Sequence, residues 1–416
     1  MSGPCVFETS AGLTARLGML TLPNRKPIET PTYLAVTSRG SVPHLTPDNL
    51  QKCTFAAMPS EVLTILGPRR CPAVTTPVGN TAKTMSIFTS TGFRNVTVSE
   101  YASAVASLQP DIVVPMADLP HTSKTPVSKK LIRMVEHTEL WLDEFLGTLS
   151  RRSRKERSAG SAFIAVFAPV LPVERPIQWD YLRHLSEDVA EDVSGLAVYD
   201  ANLLPELAHY APMIPLPKLS MDAPGSPHDV LRQIALGIDI CVLPFVNNAS
   251  DAGVAFTFSF PVRESGGGGG GVEPLGINMW DAGLSTAVVP LAQDCRCYAC
   301  ERHHRAYVRH LLNAKEMLGW SLLQIHNHHV VDEFFGGIRG SLAAGSEQFE
   351  RDRARFSASY EPELPEGTGA RPRARGYHFK SEAASERINK PSWTDLDKDG
   401  ASPVANGHVQ AAQLDE

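Results

Sequence analysis

The sequence has no apolar run approaching the ~18 residues that a membrane-spanning helix needs. Its first twenty residues, MSGPCVFETSAGLTARLGML, lack a basic stretch followed by an apolar one. Neither a spanning segment nor a secretory leader is therefore expected. There is no excess of positive charge: the net charge is −6 and the pI about 6.2. That removes any whole-chain argument for nucleic-acid binding and leaves a local basic patch open. Cysteine is sparse and odd in number, with seven in 416 residues. Cys5, Cys53, Cys71 and Cys241 are scattered, as expected of buried thiols in a reducing, intracellular protein rather than a disulfide framework.

What is present is ample for a large core: 43% of residues are hydrophobic and 20% charged, enough for one large domain with an accessory piece. Short apolar runs recur: TPTYLAV, CPAVTTPV, DIVVPMAD, AFIAVFAPV, GLAVYD, IDICVLPF and VAFTFSF. They read as strands buried on both faces. Helical patterns fall between several of them, notably after Pro126 and from Tyr181 to Val189. Alternation over this length predicts a parallel α/β fold, and a (β/α)8 TIM barrel suits the count, although pattern alone does not separate a barrel from an open sheet. Three segments read as loops or tails. The charge run RRSRKER, Arg151 to Arg157, is expected to be a solvated loop, with a tRNA phosphate contact as the sharper alternative. Gly266 to Gly271 lack any phosphate-loop context and read as a flexible insertion. From about Glu361 the composition predicts disorder.

The densest chemistry lies in QDCRCYACERHHRAY, where Cys295, Cys297 and Cys300 fall within six residues. This spacing is too tight for disulfides and suits zinc in a tetrahedron of thiolate and imidazole. Candidate fourth ligands nearby are His303, His304, His310, His326, His328 and His329. The first two follow the last thiol too closely to fold back easily, and a lone helical histidine such as His310 is more often surface or core. His326 carries a geometric condition. A straight helix from Arg305 would place it roughly 35 Å from the cysteines, so the chain must reverse near Lys315 to Gly319. With all four positions filled by protein, the metal would be structural.

The stretch CRCYACERHHRAYVRHLLNAKEMLGWSLLQIHNHHVVDEFF resembles the C-terminal region of tRNA-guanine transglycosylases. That family has CxCxxC, then RAYxxHL, and a zinc histidine 26 residues after the last cysteine, followed by Asn; here these are His326 and Asn327. Upstream, TPTYLAVTSRG, PDIVVPMAD, SGLAVYD, GIDICVLPF and GVAFTFSF follow in family order. The resemblance implies a TIM barrel over 1–290 with a glycine-rich loop at 265–272, a zinc-binding subdomain with closing helices over 291–358, and a disordered tail over 359–416. Zn2+ would be held by Cys295, Cys297, Cys300 and His326.

Family members exchange guanine in a tRNA anticodon for a modified base, which requires a carboxylate nucleophile and a second carboxylate for proton transfer. Neither is expected here. Val242 falls where the G-[I/V]-D-x-F-D motif has its second aspartate, and Thr76 where D-S-G-G-F-Q has its first residue. Asp239 matches the motif's first aspartate and is the candidate substitute in an active enzyme. The base pocket looks vestigial: Asp118 fits the pocket aspartate, while Phe167 and Gly195 stand where the family has a glutamine and paired glycines. This pattern, with SVPHLTPDNL and TPVGNTAKT, resembles the non-catalytic branch of the family. That branch implies a heterodimer with the catalytic subunit of queuine tRNA-ribosyltransferase, tRNA bound through the complex, and a homodimer when alone. It also implies a cytoplasmic location with peripheral association at the mitochondrial outer membrane. A third reading is a tRNA- or queuine-binding protein without a catalytic partner.

Overall fold

Residues 5–10, 14–37, 43–44, 63–71, 73–74, 76, 79–89, 92–119, 126–156, 163–263 and 271–371 are described by a computed structural model of the chain. They fall in one unit, Met1–Tyr377. Strands β1 (Val6–Thr9), β2 (Gly18–Thr21) and β3 (Ile28–Thr30) form an antiparallel sheet. β4 (Thr32–Leu34) and β5 (Ile65–Leu66) follow, then a hairpin of β6 (Thr84–Thr89) and β7 (Gly92–Thr97). Helix α1 (Val98–Leu108) starts on a capping box, with Thr97 accepting from the Glu100 amide and Glu100 returning the bond. Next come β8 (Ile112–Val113), α2 (Ser128–Glu156), β9 (Ala165–Val170), α3 (Arg175–Glu187), β10 (Gly195–Val198), β11 (Lys218–Ser220), α4 (Pro227–Ala235), β12 (Ile240–Val242) and α5 (Pro244–Ala252). Helices α3, α4 and α5 all carry proline in their first turn, where its missing amide costs no bond.

Seven of these strands form one parallel sheet in the order β4-β12-β11-β10-β9-β8-β5. From β5 to β12 neighbours in the sheet are neighbours in sequence, and β12 then pairs with β4, the first of the seven in sequence. A sheet so ordered is curled, and residues 45–62, which follow β4 and precede β5, lie outside the described residues. Alternation sorts the strand side chains into two cores. Val113, Val166, Ala168, Val170, Leu196, Val198 and Cys241 meet the helices. Ile112, Ala165, Phe167, Ala197, Leu219, Ile240 and Val242 face inward, with Leu20 and Leu22 packed among them. A helix crosses outside because α2 presents Met134, Val135, Trp141, Leu142 and Phe145 on one buried stripe.

The second half departs from this plan. β13 (Val254–Phe256) pairs antiparallel with β14 (Gly276–Asn278), outside the parallel sheet. Helices α6 (Tyr298–Arg302), α7 (Arg305–Asn313), α8 (Met317–Ala343) and α9 (Ser346–Ser359) follow. A separate small core joins Met279, Leu291, Leu311, Leu312, Trp320 and Leu323 beneath the cysteines. α8 packs closely through Gly337, where an added Cβ would land on the Phe260 carbonyl, whereas one at Gly336 would meet nothing. Gly337→Ala is therefore expected to cost roughly 1–3 kcal/mol in urea denaturation, as overpacking does. Gly336→Ala is expected to be neutral or slightly stabilising. Equal midpoints for the two variants would contradict this packing.

Several expectations need correction. CPAVTTPV carries no strand among its described residues, and VAFTFSF supplies β13 rather than a parallel strand. The run RRSRKER is not a loop, since α2 continues through Glu156. Side chains 152–162 lie outside the described residues, so the phosphate-contact reading of that run lies there too. The expected tail from 359 begins too early: Tyr360 is buried, Glu273 bridges to it, and Asn278 Nδ2 donates to Thr368 Oγ1 at 3.0 Å. Residues 372–416 and most of the glycine-rich run (264–270) lie outside the described residues. No described helix is long and apolar enough to cross a membrane.

Candidate metal centre and the mouth of the sheet

The reversal required before His326 occurs in three residues. α7 ends at Asn313, Lys315 takes a left-handed φ of 58°, and α8 starts at Met317. The amides of Lys315 and Glu316 return to the carbonyls of Leu312 and Leu311, the pattern that ends helices at a left-handed residue. Gly319 lets α8 lie close against Leu311 and Leu312, with an ideal Cβ only 3.1 Å from Leu311. His326 thereby returns to the thiols. On the other side, Cys297 caps α6, and its sulfur accepts the Cys300 amide at 3.3 Å.

The four ligand atoms lie within 4.8 Å of one another, so the group can hold a metal ion. His326 Nδ1 stands 3.6, 3.5 and 3.4 Å from the sulfurs of Cys295, Cys297 and Cys300. A tetrahedron with metal–sulfur bonds of ~2.3 Å and a metal–nitrogen bond of ~2.0–2.1 Å has S···N edges of about 3.5–3.6 Å. The donor set fits that shell. His326 Nε2 donates to the Phe256 carbonyl at 2.8 Å, which leaves Nδ1 as the lone-pair nitrogen facing the sulfurs. The following residue takes the other backbone group of Phe256: Asn327 Oδ1 accepts from Phe256 N at 2.9 Å, and its amide donates to Ser250 Oγ and Val254 O. Burial alone would lower the His326 pKa, but hydrogen bonds and charge from Cys295 and Cys300 outweigh it and lift it to about 9 in the metal-free chain. Without an ion the crowded sulfurs split, Cys297 being driven up and Cys300 down by their mutual contacts with Cys295. His303 and His304 are placed elsewhere: His304 Nδ1 caps α7, and His303 stacks on Tyr307. His328 bonds to Gln324 and Tyr33 instead.

The carboxyl ends of parallel strands form the mouth where α/β sheets place their chemistry. The aspartate position assigned to Val242 is apolar and faces the inner core. Thr76 belongs to no strand among the described residues. Neither Val242 nor Thr76 supplies a carboxylate. Phe167 is fully buried on the inner face, opposite Gly195 in register, and a Cβ on Gly195 would sit 2.6 Å from the ring. The aromatic ring thus occupies the space that the glycine leaves. Asp118 lies beyond the end of β8, bonded to Asn80 Nδ2 and His137 Nδ1 at 2.8 Å each. Those partners stand 38 and 19 residues away in sequence, beyond any spacing signal.

Asp239 is at the opposite end. It precedes β12, is 0% exposed, and takes Arg16 Nε and Nη2 on its two oxygens at 2.9 and 2.7 Å, with the Lys218 amide at 2.8 Å. Three residues of strand put it about 10 Å below Val242. A carboxylate so enclosed cannot reach a substrate at the mouth, which removes the reading of Asp239 as a substitute nucleophile.

Comparison with known proteins places the chain. The family model described as Queuine tRNA-ribosyltransferase matches residues 11–65 and 53–362. A Schizosaccharomyces pombe protein named queuine tRNA-ribosyltransferase accessory subunit 2 is 34% identical over an alignment of 437 positions, covering 96% of this chain and 94% of its own. Proteins of the same name from Xenopus tropicalis and Drosophila mojavensis are 28% and 27% identical, covering 80% and 81% of this chain and 94% and 88% of their own. The three-cysteine, one-histidine cluster, the parallel sheet and these matches agree that the chain belongs to the queuine tRNA-ribosyltransferase family.

Proposed function

We propose that this chain is the non-catalytic subunit of a heterodimeric queuine tRNA-ribosyltransferase, supporting exchange of guanine for queuine at the wobble position of tRNAs with GUN anticodons. The observation that carries this reading is the pairing of an assembled three-cysteine, one-histidine centre with Thr76 and Val242 at the positions where the family has its catalytic aspartates. Relatives matching along nearly the whole chain are named accessory subunits, which implies a catalytic partner. Exposed apolar side chains support a partner surface: Val288, Val289, Tyr298, Met317 and Leu318 all fall in the region around the metal centre. The same surface would pair two copies when the chain is alone.

On this reading residues 1–290 form a TIM barrel and 291–358 form the metal-binding subdomain with its closing helices. Zn2+ is the metal that suits three thiolates and an imidazole, held by Cys295, Cys297, Cys300 and His326. With the shell filled by protein it stabilises the fold and takes no part in chemistry. The complex would bind tRNA in the cytoplasm and associate peripherally with the mitochondrial outer membrane.

The test is incorporation of labelled guanine into a GUN-anticodon tRNA by this chain, by the catalytic subunit, and by the two together. The expected result is none from this chain alone, and more from the mixture than from the catalytic subunit by itself. Incorporation by this chain alone, or no gain on mixing, would sink the accessory role.

A further inference from the structure

Helix α2 begins against the electrostatic rule for helices. Its first seven residues, Ser128 to Met134, carry Lys129, Lys130 and Arg133 and no acid. The start of a helix is the positive end of its dipole, so acids are favoured there and cations disfavoured. α1 obeys the rule, with Glu100 in its capping box. In α2, Lys129 and Arg133 stand four apart on one face, where like charges repel, and the first acid, Glu136, comes only after all three cations. All three are exposed, and none makes an ion pair or a side-chain hydrogen bond among the described residues. Such a local conflict, with nothing in the chain to offset it, is the kind that proteins keep at functional sites.

The three cations stand at the mouth of the parallel sheet. α2 runs back from the carboxyl end of β8, and its residues 137 and 138 are level with Asp118. His137 Nδ1 bonds to the Asp118 carboxylate at 2.8 Å, and Thr138 Oγ1 accepts the Asp118 amide at 3.0 Å. At ~1.5 Å per residue, Arg133, Lys130 and Lys129 lie about 6, 10 and 12 Å nearer the helix start, on the rim beyond that aspartate. A row of unpaired cations there suits a polyanion lying across the mouth. An anionic membrane carries the same charge but needs an apolar stripe beside the cations. Exposed Glu136 interrupts the only such stripe here, between Ile132 and Leu140.

We propose that the first two turns of α2 contact the phosphodiester backbone of tRNA through Lys129, Lys130 and Arg133. Phosphate contacts of this kind position a nucleic acid without reading its bases. The inference rests on the accessory role proposed above and says what the chain contributes to it: a grip on the tRNA backbone while the partner acts on the base.

The test titrates the heterodimer with a GUN-anticodon tRNA at several salt concentrations. It uses the unmodified chain, the triple variant Lys129→Gln, Lys130→Gln, Arg133→Gln, and the charge-keeping pair Lys129→Arg, Lys130→Arg. Loss of three phosphate contacts should lower the salt slope of the triple variant by about 2 to 3 and weaken its binding roughly tenfold or more at low salt. The arginine pair should bind like the unmodified chain. The thermal midpoint of the triple variant should equal or exceed that of the unmodified chain, because the conflict with the dipole is gone; cations that served the fold would lower it. If the triple variant does not assemble with the catalytic subunit, Lys130→Gln carries the test, with a slope lower by about 1. The exchange assay on the same preparations separates the two readings. A gain in exchange on mixing, with affinity and slope kept by the triple variant, overturns the contact alone, whereas no gain overturns the accessory role and the contact with it. Loss of binding to phosphatidylserine vesicles by the triple variant, with tRNA binding unchanged, overturns the contact in favour of a membrane.

Discussion

Cys297→Ser is expected to leave little of the metal region folded. Serine removes one of three thiolates and the sulfur that caps α6, and its hydroxyl does not replace a thiolate toward zinc. Structural zinc sites contribute on the order of 10–16 kcal/mol, comparable to the ~5–15 kcal/mol that holds a whole domain. The loss should be local first. The thiols sit over a small core of their own, with Leu311, Leu312, Trp320 and Leu323, while the parallel sheet has separate cores inside and out. The expected trace is therefore a chain without bound metal whose denaturation splits into two steps, an early one for α6 and α7 and a later one for the sheet. α8 links them, because His326 and Asn327 between them bind the backbone C=O and N–H of Phe256. Metal content, the denaturation profile and pairing with the catalytic subunit are to be measured on the same preparation. A metal-free variant with a single transition at the unmodified midpoint would refute the structural role assigned to the site.

How much of this was readable beforehand depends on how local each cause is. The cysteines were legible from their spacing, and His326 from the family resemblance, which places the histidine ligand 26 residues after the last cysteine. The reversal was legible because a straight helix would carry His326 out of reach, and Lys315 in the left-handed region is where the chain turns. β11 was missed because two of its three residues, Lys218 and Ser220, are polar yet fully buried. Lys218 is tolerated there by bonds from Nζ to the carbonyls of Ile214 and Leu216, contacts that no pattern announces. β5 is only two residues long, and CPAVTTPV looked more like a strand than β5 did, although its two prolines cannot donate to a ladder. The charges of RRSRKER suggested a loop, but α2 continues through Glu156.

Asp239→Asn is expected to cost roughly 3–5 kcal/mol, the penalty for breaking a buried ion pair by neutralising one partner. The environment makes the usual cost apply. Arg16 and Asp239 are almost wholly removed from water, and the Arg16 guanidinium also donates to the carbonyls of Ile214 and Leu216 at 2.8 Å each. Lys218 stands beside them, its pKa pushed down to about 8 by burial, with the Arg16 charge adding to the shift and Asp239 opposing it. Removing the one carboxylate would leave two buried cations facing each other. The site lies at the amino end of β12, away from the mouth, so base exchange by the heterodimer should fall only in proportion to the folded fraction. The double variant Arg16→Met with Asp239→Leu separates pairing from charge. It removes both ions, leaves Lys218 bound to its carbonyls, and should recover a large part of the lost stability, as apolar replacements of buried pairs often do. Denaturation midpoints of the single and double variants, with exchange rates normalised to folded protein, test the account. If Asp239→Asn unfolds like the unmodified chain and yet abolishes exchange, the carboxylate serves chemistry rather than the fold.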